Sequence, residues 1–189
     1  MRTWSIFLLL ILLPACREET VQACEAIRFE DQPFTVCQFA ADDPGLALFH
    51  THSDGAPFAD FDRLADAVTV DGGDLVFAMN AGMYHEDRRP VGLYVEDGQQ
   101  SARLISNAGP GNFGLLPNGV FWVDTEGHAH VTETLAYEAL SPGARFATQS
   151  GPMLVIDGAL HPAFNPGGTS RKRRNGVGHD VDGQECESD

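Results

Sequence analysis

Apolar positions in this chain come in short runs separated by Gly, Asn, Asp and Pro, with few long helical stripes. Such a pattern predicts hairpins joined by turns. Ala26–Phe29 and Phe34–Phe39 flank Asp31-Gln32-Pro33 and predict a hairpin turning near Glu30-Asp31, with a third strand over Gly45–His50. After a turn at Ser53-Asp54-Gly55, the residues Phe58, Phe61, Leu64, Ala65 and Val68 recur at helical spacing, which predicts a helix over Pro57–Ala67. A proline in the first helical turn gives up only an N–H that has no partner there. Leu75–Met79 reads as a buried strand. Val91, Leu93 and Val95 then alternate with Gly92, Tyr94 and Glu96, and Asp97-Gly98 turns the chain into a return strand over Ala102–Ile105.

The second half repeats this grammar. Apolar pieces at Phe113–Leu116 and Gly119–Val123 surround the turn signal Pro117-Asn118-Gly119, and Thr125-Glu126-Gly127 begins another hairpin. Thr134–Leu140 is a short helix that Pro142-Gly143 ends. Met153–Ile156 is a strand followed by the turn Asp157-Gly158. The fold class is therefore α+β: one domain built on a mixed or antiparallel, hairpin-rich sheet with two or three short helices. The expected core is Phe34, Phe39, Leu48, Phe61, Leu64, Phe77, Met79, Leu93, Val95, Phe121, Val123, Leu154 and Ile156.

Two stretches carry candidate chemistry. In the first, the apolar run stops at Asn80-Ala81-Gly82, where Asn and Gly let the chain turn sharply, and His85-Glu86-Asp87-Arg88-Arg89 follows as a polar loop. Read from spacing, this is either a site at a strand end or a turn with a solvated loop. In the second, Asn165-Pro166-Gly167-Gly168-Thr169-Ser170 leads straight into Arg171-Lys172-Arg173-Arg174. Small donors beside four cations suit a phosphate, held by backbone N–H groups, hydroxyls and guanidinium forks. The other reading is a solvated charge run. Gln149-Ser150-Gly151 lacks the Gly-X-Ser-X-Gly pattern of a nucleophile elbow, which disfavours a serine hydrolase.

Charge sharpens the second stretch. The net charge is −15, which argues against nucleic acid or an anionic membrane surface as a general partner and makes one basic cluster informative. The N-terminus also has a pattern of its own. One Arg and an apolar Ser5–Leu13 form a signal-peptide core too short to span a bilayer as a mature helix. Leu13-Pro14-Ala15-Cys16 resembles a bacterial lipobox, so export is expected, with either a lipid anchor on Cys16 or ordinary cleavage nearby. The chain then divides into a signal peptide over 1–15, a tether over 16–23, a domain over 24–178 and a polar tail over 179–189.

Export bears on the other cysteines. The hairpin near Glu30-Asp31 sets Cys24 and Cys37 opposite each other, and an oxidising periplasm allows them to join. Cys186 in the tail has no evident partner. His128 and His130 share a strand face, and His50 and His52 repeat that spacing. That spacing fits a metal pair or a solvated face, and no third ligand is placed. No metal or other cofactor is expected.

MNAGMY (Met79–Tyr84) with PVGLYVEDG (Pro90–Gly98), NFGLLPNGVFWV (Asn112–Val123) and QSGPMLVIDGALHPAFNPGGTSRKRRNGVG (Gln149–Gly178) resemble, in order, the signatures of the phosphodiester glycosidase family. That family includes the lysosomal uncovering enzyme and bacterial exopolysaccharide-associated proteins. The resemblance implies an envelope hydrolase that cleaves the bond between a sugar's anomeric carbon and a phosphodiester oxygen. Asn80, Gly82, Gln149, Gly151 and Arg174 are the implied substrate-binding residues, with Arg174 on the phosphate and Asn80 and Gln149 orienting the substrate. Glu86, Asp87 and Asp157 are acid/base candidates by residue type alone. Family members continue past this point with further strands, so the acidic tail from His179 implies a C-terminally shortened member and a marginal domain. The alternative is a catalytically silent envelope lipoprotein that binds glycan or a protein partner.

Overall fold

The computed structural model describes residues 24–165, 167–169 and 172–179. The leader, Cys16, Arg171 and Cys186 lie outside them. Residues up to Phe39 form one compact unit and those from Ala40 a second. In the first unit, β1 (Cys24–Phe29) and β2 (Gln32–Cys37) form an antiparallel hairpin. Its turn residues Glu30 and Asp31 have φ of 46° and 60°, the left-handed pair that a two-residue hairpin turn requires. That turn sets the register in which Cys24 faces Cys37, and the two are joined by a disulfide.

The second unit is built on an antiparallel five-stranded sheet. Its strands are β3 (Tyr94–Glu96), β4 (Gln99–Ala102), β5 (Gly119–Asp124), β6 (Ala129–Glu133) and β7 (Ala144–Ser150), in the order β4-β3-β7-β5-β6. β7 is central, pairing with β3 on one side and β5 on the other. Directly opposed residues share a face. Val95, Ala147 and Trp122 therefore line up across three strands on one face, while Tyr94, Thr148 and Phe121 line up on the other.

The core lies on the first of these faces: Leu93, Val95, Val120, Trp122 and Ala147, with Tyr137 from the helix α2 (Thr134–Leu140). The Tyr137 ring meets Trp122 edge-on at 5.7 Å. Burying a side chain such as Val120 contributes about 1.5–3 kcal/mol. Helix α2 starts where Glu133 accepts from the N–H groups of Leu135 and Ala136, and it ends at Ser141 in the left-handed conformation. The bounds of α2 coincide with the expected ones. A further hairpin, β8 (Val155–Ile156) with β9 (Ala159–Leu160), turns at Asp157-Gly158.

The second unit is thus mostly sheet with two helices, an α+β fold, and the ladders among the described residues are antiparallel. Several expectations need correction. Gly45–His50 is not a strand, because the Asp43 carboxylate accepts from Gly45 N–H and the backbone closes local turns there. Leu75–Met79 is irregular, with Val76 and Phe77 exposed, and forms neither a strand nor a buried run. The first helix, α1, runs over Phe61–Val70 rather than from Pro57, because Asp60 is the better cap, its carboxylate accepting from Arg63 N–H at 2.9 Å. The strand after Asp97-Gly98 begins at Gln99, as a two-residue turn forces pairing at once. Phe113–Leu116 is a run of turns and bends. Of the expected core, Leu64, Leu93, Val95 and Val123 are buried, whereas Phe34, Phe39, Phe61, Phe77 and Leu154 are exposed. Leu48, Met79, Phe121 and Ile156 are half-buried.

Candidate active site

The site region forms where the central strand ends. Gln149, the penultimate residue of β7, is buried, and its amide ties three segments together. Oε1 accepts from Leu93 N–H at 3.2 Å and from Ile105 N–H at 3.0 Å. Nε2 donates to Ile105 O at 2.6 Å and to Thr134 Oγ1 at 3.1 Å. That uses both amide hydrogens and both oxygen lone pairs. Gln149 therefore pins the chain ahead of β3, the strand exit at Ile105 and the first residue of α2 to the sheet centre. A substrate contact from this amide would have to replace one of these bonds. Gly92 makes the arrangement possible, since a Cβ there would lie 2.5 Å from Gln149 Oε1 and 2.7 Å from the Phe113 ring.

The Asn80 turn docks on the same strand end. Thr148 Oγ1 donates to Ala81 O at 3.1 Å. A Cβ on Gly82 would lie 2.7 Å from Thr148 Oγ1 and 3.1 Å from Gln149 O, so only glycine lets the turn come this close. The exposed Asn80 side chain donates to Gly82 O at 3.2 Å. Its backbone carbonyl accepts from Asn175 Nδ2 at 2.9 Å. The residue after Arg174 is thereby fastened to the Asn80 turn across 95 positions of sequence. Arg174, Arg173 and Lys172 are exposed there.

Gly151 follows β7 and packs on buried Asn118, the middle residue of the Pro117-Asn118-Gly119 turn; a Cβ at Gly151 would collide with Asn118 Oδ1. Asn118 Nδ2 donates to Phe113 O at 2.7 Å, and Asn118 O accepts from both the N–H and the hydroxyl of Thr134. All three signature stretches thus converge on the end of β7.

The carboxylate candidates are spread more widely. Glu86 and Asp87 are exposed at the tip of a loop closed by the Tyr84–Pro90 bridge and by Val91 N–H on Met83 O. Asp87 accepts from the Arg89 side chain at 2.7 Å and from its N–H at 3.2 Å. These hydrogen bonds, the side-chain one first, hold its carboxyl below the usual carboxylate range. Asp157 occupies the β8–β9 turn, exposed and at φ 49°, and the turn itself accounts for its position.

The two histidine pairs lie in different surroundings. His128 Nδ1 and His130 Nε2 both meet Asp124 Oδ2, at 3.3 and 3.0 Å, and His130 stacks on Trp122 at 4.1 Å. His50 Nε2 bonds to Arg88 O, while the His52 ring lies 3.8 Å from that of Phe58. Among the described residues no group of three or more His, Cys, Asp or Glu side chains could hold a metal ion. Sequence reasoning overlooked Thr148, Asn118 and Asn175, whose partners lie far away in sequence. Only the adjacency of Asn175 to the basic run hinted at its place.

Three ordered signature stretches meet at this strand end, and an exposed basic segment is fastened beside them. The phosphodiester glycosidase family model matches residues 73–185, well over half of the chain, and the chain belongs to that family. It is 42% identical over 106 residues to the uncharacterized protein YigE of Escherichia coli (strain K12), an alignment covering 56% of this chain and 41% of that protein's length. No solved structure matches the chain significantly.

Proposed function

We propose that this chain hydrolyses a sugar-1-phosphodiester, breaking the bond between the anomeric carbon and the bridging phosphate oxygen. The single observation that carries the reading is the hydrogen bond from Asn175 to Asn80 O, which ties the Lys172–Arg174 segment to the Asn80 turn. A phosphate and its sugar need recognition at one place, and this bond brings a basic segment to an amide-bearing turn. In the proposal Arg174 grips the phosphate with its guanidinium fork. Asn80 orients the sugar. Gln149, Gly82 and Gly151 act as positioning residues that fix the end of β7.

The leaving group departs as a phosphomonoester anion, so charge stabilisation at the phosphate matters more than protonation of the departing oxygen. Water adds to the anomeric carbon as the C–O bond breaks, and its proton passes to a carboxylate. Glu86 and Asp87 are the candidates for the accepting role; the hydrogen bond from Arg89 that lowers the Asp87 pKa makes Asp87 the weaker base of the two. Asp157 is a candidate by residue type alone.

The proposed setting is the cell envelope: export through residues 1–15, acylation of Cys16, and an envelope glycan or exopolysaccharide fragment as the source of substrate. Mass spectrometry of the mature N-terminus tests the anchor, with acylated Cys16 expected and an unmodified start elsewhere against it. NMR detection of free sugar and phosphomonoester from N-acetylglucosamine-1-phosphate methyl ester tests the reaction. Turnover is expected. Binding without turnover would instead favour a silent glycan-binding protein.

A further inference from the structure

Beside the basic segment the surface changes character. Gly176, two residues after Arg174, packs on Leu154: a Cβ at Gly176 would lie 3.4 Å from Leu154 Cδ1. Two residues of chain reach at most about 7 Å, so Arg174 starts within that distance of Gly176. Leu154 and Val177 at this junction are 54% and 44% exposed. Leu154 O also accepts from His161 N–H, which holds the following hairpin to the same place. In that hairpin Val155 and Leu160 are directly opposed, share a face, and are 52% and 74% exposed. The hairpin is anchored from behind by buried His161, whose Nε2 bonds to Leu116 O at 3.1 Å and whose Nδ1 accepts from Ala163 N–H. Its open apolar side chains are thus held in place against the folded unit.

Exposed apolar side chains of this size on one short hairpin mark an interaction surface. Charge decides what kind. In a chain of net charge −15, three consecutive exposed cations, Lys172, Arg173 and Arg174, stand next to them. A ligand that satisfies both must carry an anionic group and an apolar group a few bonds apart. A phosphodiester joins two such groups at one phosphorus.

We infer that the substrate is an amphiphile: a sugar-1-phosphodiester whose second ester group is an aliphatic chain, laid on Leu154, Val155, Leu160 and Val177 while Lys172–Arg174 holds the phosphate. This inference rests on the proposed hydrolase reading and adds the substrate class to it. It also gives the β8–β9 hairpin a task, since that hairpin lies outside the five-stranded sheet.

The test compares two probes that share one head, the methyl and octyl esters of N-acetylglucosamine-1-phosphate, both below micelle-forming concentration. Calorimetric titration of the wild-type chain should give octyl binding roughly tenfold tighter or more, since several methylenes leave water. Leu160→Ser and Val155→Ser change exposed side chains and should reduce octyl affinity to the methyl level without altering methyl binding. Equal binding of both esters by wild type would overturn the amphiphile inference and leave the phosphate site standing. Binding of neither would remove the site reading itself. Loss of a dimer in Leu160→Ser by sedimentation, with no octyl preference in wild type, would assign this face to a second copy of the chain and also overturn the inference.

Discussion

The Asn175 side chain donates to the backbone carbonyl of Asn80 at 2.9 Å, and Asn175 directly follows the basic run. This one bond makes the position of Arg174 depend on the Asn80 turn. Asn175→Ala should weaken binding of a sugar phosphodiester by about 1 kcal/mol, near fivefold, with little change in the unfolding midpoint. Titration calorimetry and urea unfolding of the same variant check both halves. A variant that loses stability but not affinity would make the bond merely structural.

Gln149 should behave in the opposite way. Its buried amide makes four hydrogen bonds, so Gln149→Ala leaves the N–H groups of Leu93 and Ile105 and the carbonyl of Ile105 without this partner, beside a cavity. A loss of roughly 3 kcal/mol or more is expected. The midpoint of urea unfolding measures it. A loss below about 1 kcal/mol would mean that the network is not what fastens β7 to its neighbours.

Close backbone approach gives a second stability test. Gly92→Ala places a methyl group 2.5 Å from Gln149 Oε1 and 2.7 Å from Phe113 Cζ. The strand must shift or the Gln149 network must break, costing about 1–3 kcal/mol. Gly143→Ala, where a Cβ meets nothing within 4 Å, is the control and should be near neutral. Thermal melts of the pair decide the matter.

Asp124 links stability to pH. Its carboxylate accepts from the N–H groups of Glu126 and His128 and from the rings of His128 and His130. The His128 backbone bond leads these causes, and together they hold the carboxyl well below its ordinary value. A carboxyl with a lowered folded-state pKa contributes stability above its unfolded value, near 4, and loses it as pH falls through the folded value. Wild type should therefore lose stability progressively below about pH 4, and Asp124→Asn should be less stable at pH 7 with a flatter acid limb. Parallel acid limbs for the two proteins would count against the carboxylate as the cause.

The turns of this fold were legible in the sequence, and the apolar runs only in part: Ala26–Phe29 and Gly119–Val123 lie in strands, whereas Gly45–His50 and Leu75–Met79 do not. Asp97-Gly98 and Asp157-Gly158 announced their hairpins, and the Cys24–Cys37 pairing followed from the Glu30-Asp31 turn. Thr134–Leu140 could be read residue for residue because its stop signal is local. Leu75–Met79 misled because an apolar run expresses a preference for burial and supplies no hydrogen-bonded partner of its own. Phe61 and Phe77 misled because hydrophobicity sets a preference for burial without setting a position.

The site was legible in part. The signatures named stretches that the fold brings together, yet the task of Gln149 was hidden, because its four hydrogen bonds run to Leu93, Ile105 and Thr134. No local pattern encodes those contacts. The capping role of Asp60 is local, three residues before Arg63, and was missed because Pro57 also suits a first helical turn.

The central claim is that Arg174 holds the phosphate of a sugar-1-phosphodiester. Calorimetric titration of N-acetylglucosamine-1-phosphate methyl ester at fixed salt tests it most directly, comparing wild type, Arg174→Ala and Arg174→Lys. Loss of a bidentate, charge-assisted contact should cost roughly 1.5–3 kcal/mol in Arg174→Ala, with partial recovery in Arg174→Lys, whose ammonium lacks the fork. Equal affinity in wild type and Arg174→Ala would contradict the account.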